Sequence, residues 1–413
     1  MSDSLPRPPE PAPCAVRVVP ASGPLEILLV FLRLGCTSFG GPIAHLGYFR
    51  AEFVERRKWL TERAFVDLVA LTQFLPGPAS SQTGFAIGLM RGGLRGALAA
   101  WTGFTLPSAT LLVLFAYGAG AIARSHAGAG MLHGLKLVAV AIVAQAVMGM
   151  ARNLCPDRRR ASIATAAMIV MLLAPTSLFQ IGTIVAGGIA GWALCRGDGA
   201  AVPDGFVMPL SRRFATLCLA LFFGLLAGTL LPVRSGPLAL FDAFYRSGAL
   251  VFGGGHVVLP LLRNAVVAPG WVSDTTFLAG YGAAQAVPGP LFTFAAYLGA
   301  VAGVVRGGAM AGAMLALLAI FLPGLLCLLG TLPFWHGLRR RPAAQAAMRG
   351  INAAVVGLLA AALYNPVWVS AVKGPADVAV VAAMFVLLVA WHAPPLLVVV
   401  LSALAGIGLS LAA

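Results

Sequence analysis

Hydrophobic positions in this chain do not alternate with polar ones. They run together for most of a membrane crossing, over residues 97–118, 135–151, 214–231 and 377–391. Such runs approach or reach the ~17–25 residues that a helix needs to traverse the hydrocarbon core. Backbone groups in lipid must be satisfied within their own segment, and no period-two pattern marks strands. The pattern therefore predicts an all-α, polytopic integral membrane helical bundle. Composition agrees: 60% of the 413 residues are hydrophobic and 10% charged, against ~45–50% and ~25% in soluble domains. Two apolar stretches are cut in half, at QFLPGPASSQTGF (73–85) and QAVPGPLFTFA (285–295).

These two breaks belong to an internal repeat. FLRLGCTSFGG (31–41) recurs as FYRSGALVFGG (244–254), which matches Arg33 with Arg246, Gly40 with Gly253 and Gly41 with Gly254. Gln73 then matches Gln285, Pro76-Gly77-Pro78 matches Pro288-Gly289-Pro290, and Pro107 matches Pro323, all in one order. The charges between these motifs do not repeat. RNLCPDRRR follows the run at 135–151, while its counterpart YNPVWVSAVKGPAD is nearly neutral, and the cluster WHGLRRRP appears at the opposite end of an equivalent helix. Basic residues favour the cytoplasmic side, so the second copy is expected to be inserted upside down. Inversion needs an odd number of crossings per copy or one extra span, and the run at 214–231 has no counterpart. The expected division is a proline-rich disordered tail (1–24), a first repeat (25–196), a linker with the extra helix (197–238) and an inverted second repeat (239–413). With the N-terminus cytoplasmic and the C-terminus external, the 28 Lys and Arg sort as 20 cytoplasmic, 6 external, and Arg33 and Arg246 within the membrane. The net charge of +15 is then a topological signal, and nucleic acid is not an expected partner. The partner of most of the surface is the lipid bilayer.

Residues 65–75 and 80–90 each rise only about 16 Å as helix, roughly half of the ~30 Å core. The pair reads as a re-entrant hairpin with Pro-Gly-Pro at its tip, and FGGP (39–42) and FGGG (252–255) read as tips of another such pair. A helix that starts after Pro78 aims its free N–H groups at the bilayer centre, beside Ser80, Ser81, Gln82 and Thr83. That is an arrangement for an anion. Paired interruptions in two inverted halves point to a transporter's binding site, although glycine and proline also serve close packing. Arginine inside a membrane segment marks either a substrate path or an ion pair. Arg33 has Asp67 and Glu62 as possible partners, and Arg246 has Asp242. His45 and His256 follow the glycine breaks, either as proton carriers or as satisfied core residues. Arg50, Arg91, Arg263 and Arg306 are placed as interfacial anchors. The six cysteines form no CxxC pair, the histidines lack metal-ligand spacing, and no phosphate loop or catalytic motif is present. The chain is read as a non-enzyme without cofactor or metal.

FLRLGCTSFGGPIAHLGYFR, WLTERAFVDLVALTQFLPGPASSQTGFAIG and FGGGHVVLPLL with QAVPGPLFTFAAYLG resemble the chromate ion transporter family in its long, two-domain form, over about residues 25–410. The resemblance implies a bacterial inner-membrane protein that exports chromate and confers chromate resistance. It carries over Arg33, Phe39, Gly40, Gly41, His45, Gln73, Ser80 and the Pro76-Gly77-Pro78 break, with their second-half partners. The second copy departs in having Leu291 and Phe292 after its break where hydroxyls follow the first, so the first half is expected to supply most polar contacts. Chromate is a tetrahedral dianion, which arginine forks and helix N-termini suit. With the interior negative, moving two negative charges outward gains about 4.6 kcal/mol per 100 mV. Export therefore needs no cosubstrate, and rocking of the two repeats, driven by the membrane potential or by exchange for another ion, is expected to expose a site between the Pro-Gly-Pro tips to each side in turn. The alternatives are a carrier of sulfate or another oxyanion, with sulfate as competitor, and a membrane-embedded chromate reductase, which would need a flavin, haem or thiol pair. The topology makes a direct prediction: cysteines placed in loops 152–160 and 365–377 are labelled from opposite sides of the membrane, and labelling from one side refutes the inversion.

Overall fold

The computed structural model describes residues 23–39, 41–122, 125–174, 176–195, 210–230, 236–252, 255–303, 308–338 and 341–412. Among them every regular element is a helix. The first half contains α1 (Pro24–Thr37), α2 (Gly41–Arg50), α3 (Glu62–Phe74), α4 (Ala79–Ile122), α5 (His126–Leu154), α6 (Arg158–Leu173) and α7 (Ser177–Leu194). After α8 (Arg212–Gly228), the same order returns as α9 (Gly236–Ala249), α10 (Val258–Val266), α11 (Asp274–Ala286), α12 (Phe294–Val301) and α13 (Gly308–Thr331). It continues through the short α14 (Trp335–Leu338), α15 (Pro342–Ala362), the short α16 (Val369–Ala371), α17 (Pro375–Val389) and α18 (Pro395–Ala412). The tail 1–22 and Gly40, Gly253, Gly254 and Arg306 lie outside the described residues.

Among the described residues four segments are long and apolar enough to cross a membrane: Ala79–Gly118, His126–Leu154, Gly308–Phe334 and Pro342–Ala371. The first is not straight. Gly92 and Gly93 leave helical geometry, with φ +60° at Gly93, and a Cβ on Gly88 would stand 2.4 Å from the Gly96 carbonyl oxygen. Residues eight apart along a straight helix are about 12 Å apart, so α4 doubles back into two limbs, 79–91 and 94–122. The second half repeats this turn, with Gly299 and Gly312 in the same close approach at 2.3 Å. The helices flanking each Pro-Gly-Pro are short as expected. α3 and α11 have 13 residues each, about 20 Å at the helical rise. Both begin at a hydroxyl cap: Thr61 accepts from the Ala64 N–H and Ser273 from the Thr276 N–H, which satisfies groups that the helix itself cannot.

Helix directions establish the inversion. Along α5, Gly130 meets Gly406 and Ser410 while Gly134 meets Ser402 and Ala403, so α18 runs antiparallel to α5. Along α7, Gly187 meets Ala354 and Gly350 while Gly191 meets Gly350 and Ala346, so α15 runs antiparallel to α7. α5, α6 and α7 are joined by connections of a few residues, so α5 and α7 point the same way. The second-half counterparts of α5 and α7, which are α15 and α18, therefore point the opposite way. The same contacts show that the halves interlock: α5 packs on α17 and α18, and α15 packs on α6 and α7. α8, which has no counterpart, covers α9 and α13, and the Tyr245 hydroxyl donates to the Phe222 carbonyl at 3.0 Å.

Small residues allow these crossings. A Cβ on Gly350 would lie 2.0 Å from the Gly187 carbonyl oxygen, and one on Gly134 would lie 2.1 Å from the Ser402 carbonyl oxygen. Lipid tails give helices no hydrophobic drive to associate, so close backbone approach carries the packing. Gly134→Ala and Gly350→Ala are therefore expected to lower the melting temperature of the detergent-solubilised protein by the equivalent of about 1–3 kcal/mol. Gly149→Ala in α5, where an added Cβ would meet nothing within 4 Å, should be neutral. Equal melting of all three variants would refute the crossings.

Candidate functional site

α3 ends at Phe74 with Leu75 as its C-cap, and Pro76, Gly77 and Pro78 turn the chain into the first limb of α4. Gly77 adopts φ +113° and Gly289, its counterpart, φ +100°, a region closed to most side chains. Each glycine is also pressed against the other half. A Cβ on Gly77 would lie 2.9 Å from the Gly324 Cα, and one on Gly289 would lie 2.9 Å from the Ser108 Oγ. Ser108 and Gly324 are themselves counterparts, each following the proline of its long helix, Pro107 and Pro323.

The backbone completes this reciprocity. The Gly77 N–H donates to the Val251 carbonyl at 2.8 Å, and the Gly289 N–H donates to the Ser38 carbonyl at 2.9 Å. Val251 and Ser38 occupy matching positions just before the FGG breaks of their halves. Each Pro-Gly-Pro tip is thus tied to the glycine break of the opposite copy, and the four interruptions form one place at the junction of the halves.

The side chains gathered there are mostly from the first half. Ser38, His45, Ser80, Ser81, Gln82 and Thr83 are all at most 3% exposed. The His45 Nε2 lies 3.2 Å from the Ser38 carbonyl and its Nδ1 lies 3.3 Å from the Ser80 Oγ. A carbonyl only accepts, so Nε2 carries the proton, and in the neutral ring Nδ1 accepts from the Ser80 hydroxyl. Gln82 bridges the halves: its Nε2 donates to the Pro76 carbonyl at 2.9 Å and to the Gly324 carbonyl at 2.8 Å. The Thr72 and Thr83 hydroxyls meet at 2.9 Å. Three buried atoms here have no hydrogen-bond partner among the described residues, the Ser38 Oγ, the Ser81 Oγ and the Gln82 Oε1. They stand beside the N-terminus of α4, whose first N–H groups have no intrahelical acceptor. Orphaned buried polar groups are costly, so this cluster is a candidate for a polar guest.

The second half offers less. Leu291, Phe292 and Thr293 form a single 3₁₀ turn before α12, and the Thr293 hydroxyl is spent on the Pro290 carbonyl at 2.7 Å. His256 Nδ1 lies 2.7 Å from the Tyr281 hydroxyl. Pro76, Pro78, Pro288 and Pro290 are buried, and Gly41, with φ +80°, opens α2. The matched glutamines diverge: Gln73 is exposed, whereas Gln285 is half-buried, its Nε2 enclosed and without a partner among the described residues.

The arginine expectations need correction. Arg33 lies on an exposed face of α1, while Gly35 on the packed face faces the Gly103 and Phe104 carbonyls of α4. Neither expected carboxylate reaches it: Glu62 pairs with Arg50 at 2.8 Å, and Asp67, 8% exposed, accepts from the Trp335 Nε1 at 3.1 Å. Arg246 is half-buried, and its one hydrogen bond among the described residues is a long one, 3.5 Å, to the Thr229 carbonyl. Asp242, one turn earlier, feels its charge without forming an ion pair with it. Arg263 is anchored, but by Asp274 at 2.8 Å. Arg91 is 8% exposed and stacks on Trp59, 4.9 Å from the ring centre. The sequence reading missed Ser38, Ser108 and Gly324. The available signal was the small residue following each matched Pro107 and Pro323.

Comparison with known proteins agrees with this architecture. A family model described as chromate transporter matches residues 25–192 and again 238–407. A chromate transport protein of Pseudomonas aeruginosa is 28% identical over 374 residues, covering 89% of this chain and 87% of its own length. A probable chromate transport protein of Synechococcus elongatus is 28% identical, covering 84% and 86%. An uncharacterized transporter of Methanocaldococcus jannaschii is 25% identical, covering 82% and 83%. No solved structure matches. The chain, a multi-pass membrane protein whose two inverted copies each match the family model, belongs to the chromate transporter family.

Proposed function

We propose that this protein exports chromate from the cytoplasm across the bacterial inner membrane, with its N-terminus cytoplasmic, and thereby confers chromate resistance. The observation that carries the reading is the reciprocal clasp of the breaks, Gly77 to Val251 and Gly289 to Ser38, beside buried hydroxyls without partners among the described residues. Donors at a helix N-terminus, shielded from water, favour an anion without needing a fixed cation. The dianion lies nearer the first half, against the α4 N-terminus, with the Ser38 and Ser81 hydroxyls turned toward its oxygens. His45 and Gln82 hold the two breaks in register.

Transport follows by alternating access. The potential drives the outward step, since about 4.6 kcal/mol per 100 mV for two charges supports a gradient of roughly a thousandfold or more. The moving parts in this reading are not the sequence halves as such. α5–α7 and α15–α18 interlock, and the groups containing the broken helices rock against that frame. Sulfate, with the same charge and shape, enters as a competitor.

Chromate uptake into everted vesicles is expected to rise with an imposed inside-positive potential and to fall with added sulfate; a flux indifferent to potential and pH refutes the mechanism. Ser38→Ala and Ser81→Ala should each raise the half-saturating chromate concentration about tenfold, the equivalent of one charged hydrogen bond of about 1.5 kcal/mol. Unchanged saturation in both removes the α4 N-terminus as the site.

A further inference from the structure

The two broken pieces of each half meet again at their outer ends. In the second half, Arg263 near the end of α10 binds Asp274, the first residue of α11, through two bonds, Nε to Oδ1 at 2.8 Å and Nη2 to Oδ2 at 3.1 Å. In the first half, Arg50 at the end of α2 binds Glu62, the first residue of α3, Nε to Oε1 at 2.8 Å, and shares its Nη1 with Glu55 at 2.5 Å. Arg50 and Arg263 are matched positions. So are Glu62 and Asp274, each following the hydroxyl cap of its helix, Thr61 or Ser273. An acid at a helix start also favours the dipole, but the dipole requires no arginine opposite, and both halves supply one.

α2 and α10 follow the glycine breaks, whereas α3 and α11 lead into Pro-Gly-Pro. Each bridge therefore joins the piece that carries a clasp carbonyl to the piece that carries a clasp N–H. In the second half these are Val251 and Gly289, and their partners, Gly77 and Ser38, both lie in the first half. Nearer the tips, His256 Nδ1 and the Tyr281 hydroxyl, 2.7 Å apart, tie the same two pieces again. We infer that Arg263–Asp274 and Arg50–Glu62 are positioning pairs that make the two break tips of each half move as one body, so that both clasps form or release together. Inversion puts the pairs at opposite faces of the bilayer. The second is the tighter, bidentate and with side chains 25% and 35% exposed against 48% and 49% in the first. As a role in transport this rests on the proposed function; as a tie between the clasps it does not.

Hydrogen–deuterium exchange of the purified full chain in detergent, followed by mass spectrometry over residues 73–85 and 285–295, reads both clasps, because in each Pro-Gly-Pro the glycine holds the only amide hydrogen. Asp274→Asn should speed exchange about threefold at Gly289 and also at Gly77 in the other half. The charge-swapped double variant Arg263→Asp/Asp274→Arg should restore both rates. Faster exchange at Gly289 alone, as for an acid that only starts α11, overturns the coupling, as does unchanged exchange at both. In vesicles, Asp274→Asn should lower the maximal chromate flux per folded molecule about threefold and leave the half-saturating concentration unchanged; an unchanged maximal flux removes the pair from the transport cycle. Absence of chromate flux in the wild type would defeat the proposed function and leave the exchange result standing.

Discussion

Lipid offers no hydrogen bonds, and every interrupted helix in this protein has to answer for that. At Pro-Gly-Pro the chain leaves helical geometry deep in the apolar bundle, where exposed N–H and C=O groups have no water to turn to. The solution is exchange: the Gly77 N–H finds the Val251 carbonyl, and the Gly289 N–H finds the Ser38 carbonyl. In neither half does the break glycine's N–H bond within its own copy. Inversion follows from this requirement as much as from duplication, because a two-fold relation makes both bonds at once. The buried hydroxyls of Ser38 and Ser81 gather at the same place, because the breaks bring their segments together.

Symmetry of the frame is not symmetry of the chemistry. Both copies keep the glycine at positive φ, the hydroxyl-capped entry helix and the glycine-closed hairpin. After the break the first copy places Ser80, Ser81 and Gln82, while the second places Phe292, Thr293 and Phe294. One copy supplies donors and the other an apolar wall, which suits a single charged guest held off the two-fold axis. Divergence extends to the arginines: Arg33 is exposed, whereas Arg246 is half enclosed beside Gln180. It also extends to Asp67, which is tied to Trp335 of the other half.

The interlocked frame explains how a chain so rich in glycine holds its shape. Gly134 against Ser402 and Gly350 against Gly187 bring backbones into direct contact, and dispersion over such contacts replaces the hydrophobic effect inside a bilayer. Since α5 rests on the second half's last helices and α15 on the first half's, the two copies share part of their core.

Much of this was legible in the residues. The apolar runs determined the helices, the Pro-Gly-Pro and Gly-Gly positions determined where they break, and the drift of basic residues determined the inversion. All three are local or additive properties: backbone chemistry at a proline, hydropathy over a segment, and the charge of a loop. Tertiary structure alone decided which carbonyl takes each orphan N–H, that Gln82 spans to Gly324, that Glu62 goes to Arg50 rather than Arg33, and that α5 and α15 pair across the halves. Those outcomes depend on contacts between residues far apart in the chain. No single position records them, because a glycine or an arginine reads the same whichever helix comes to lie against it.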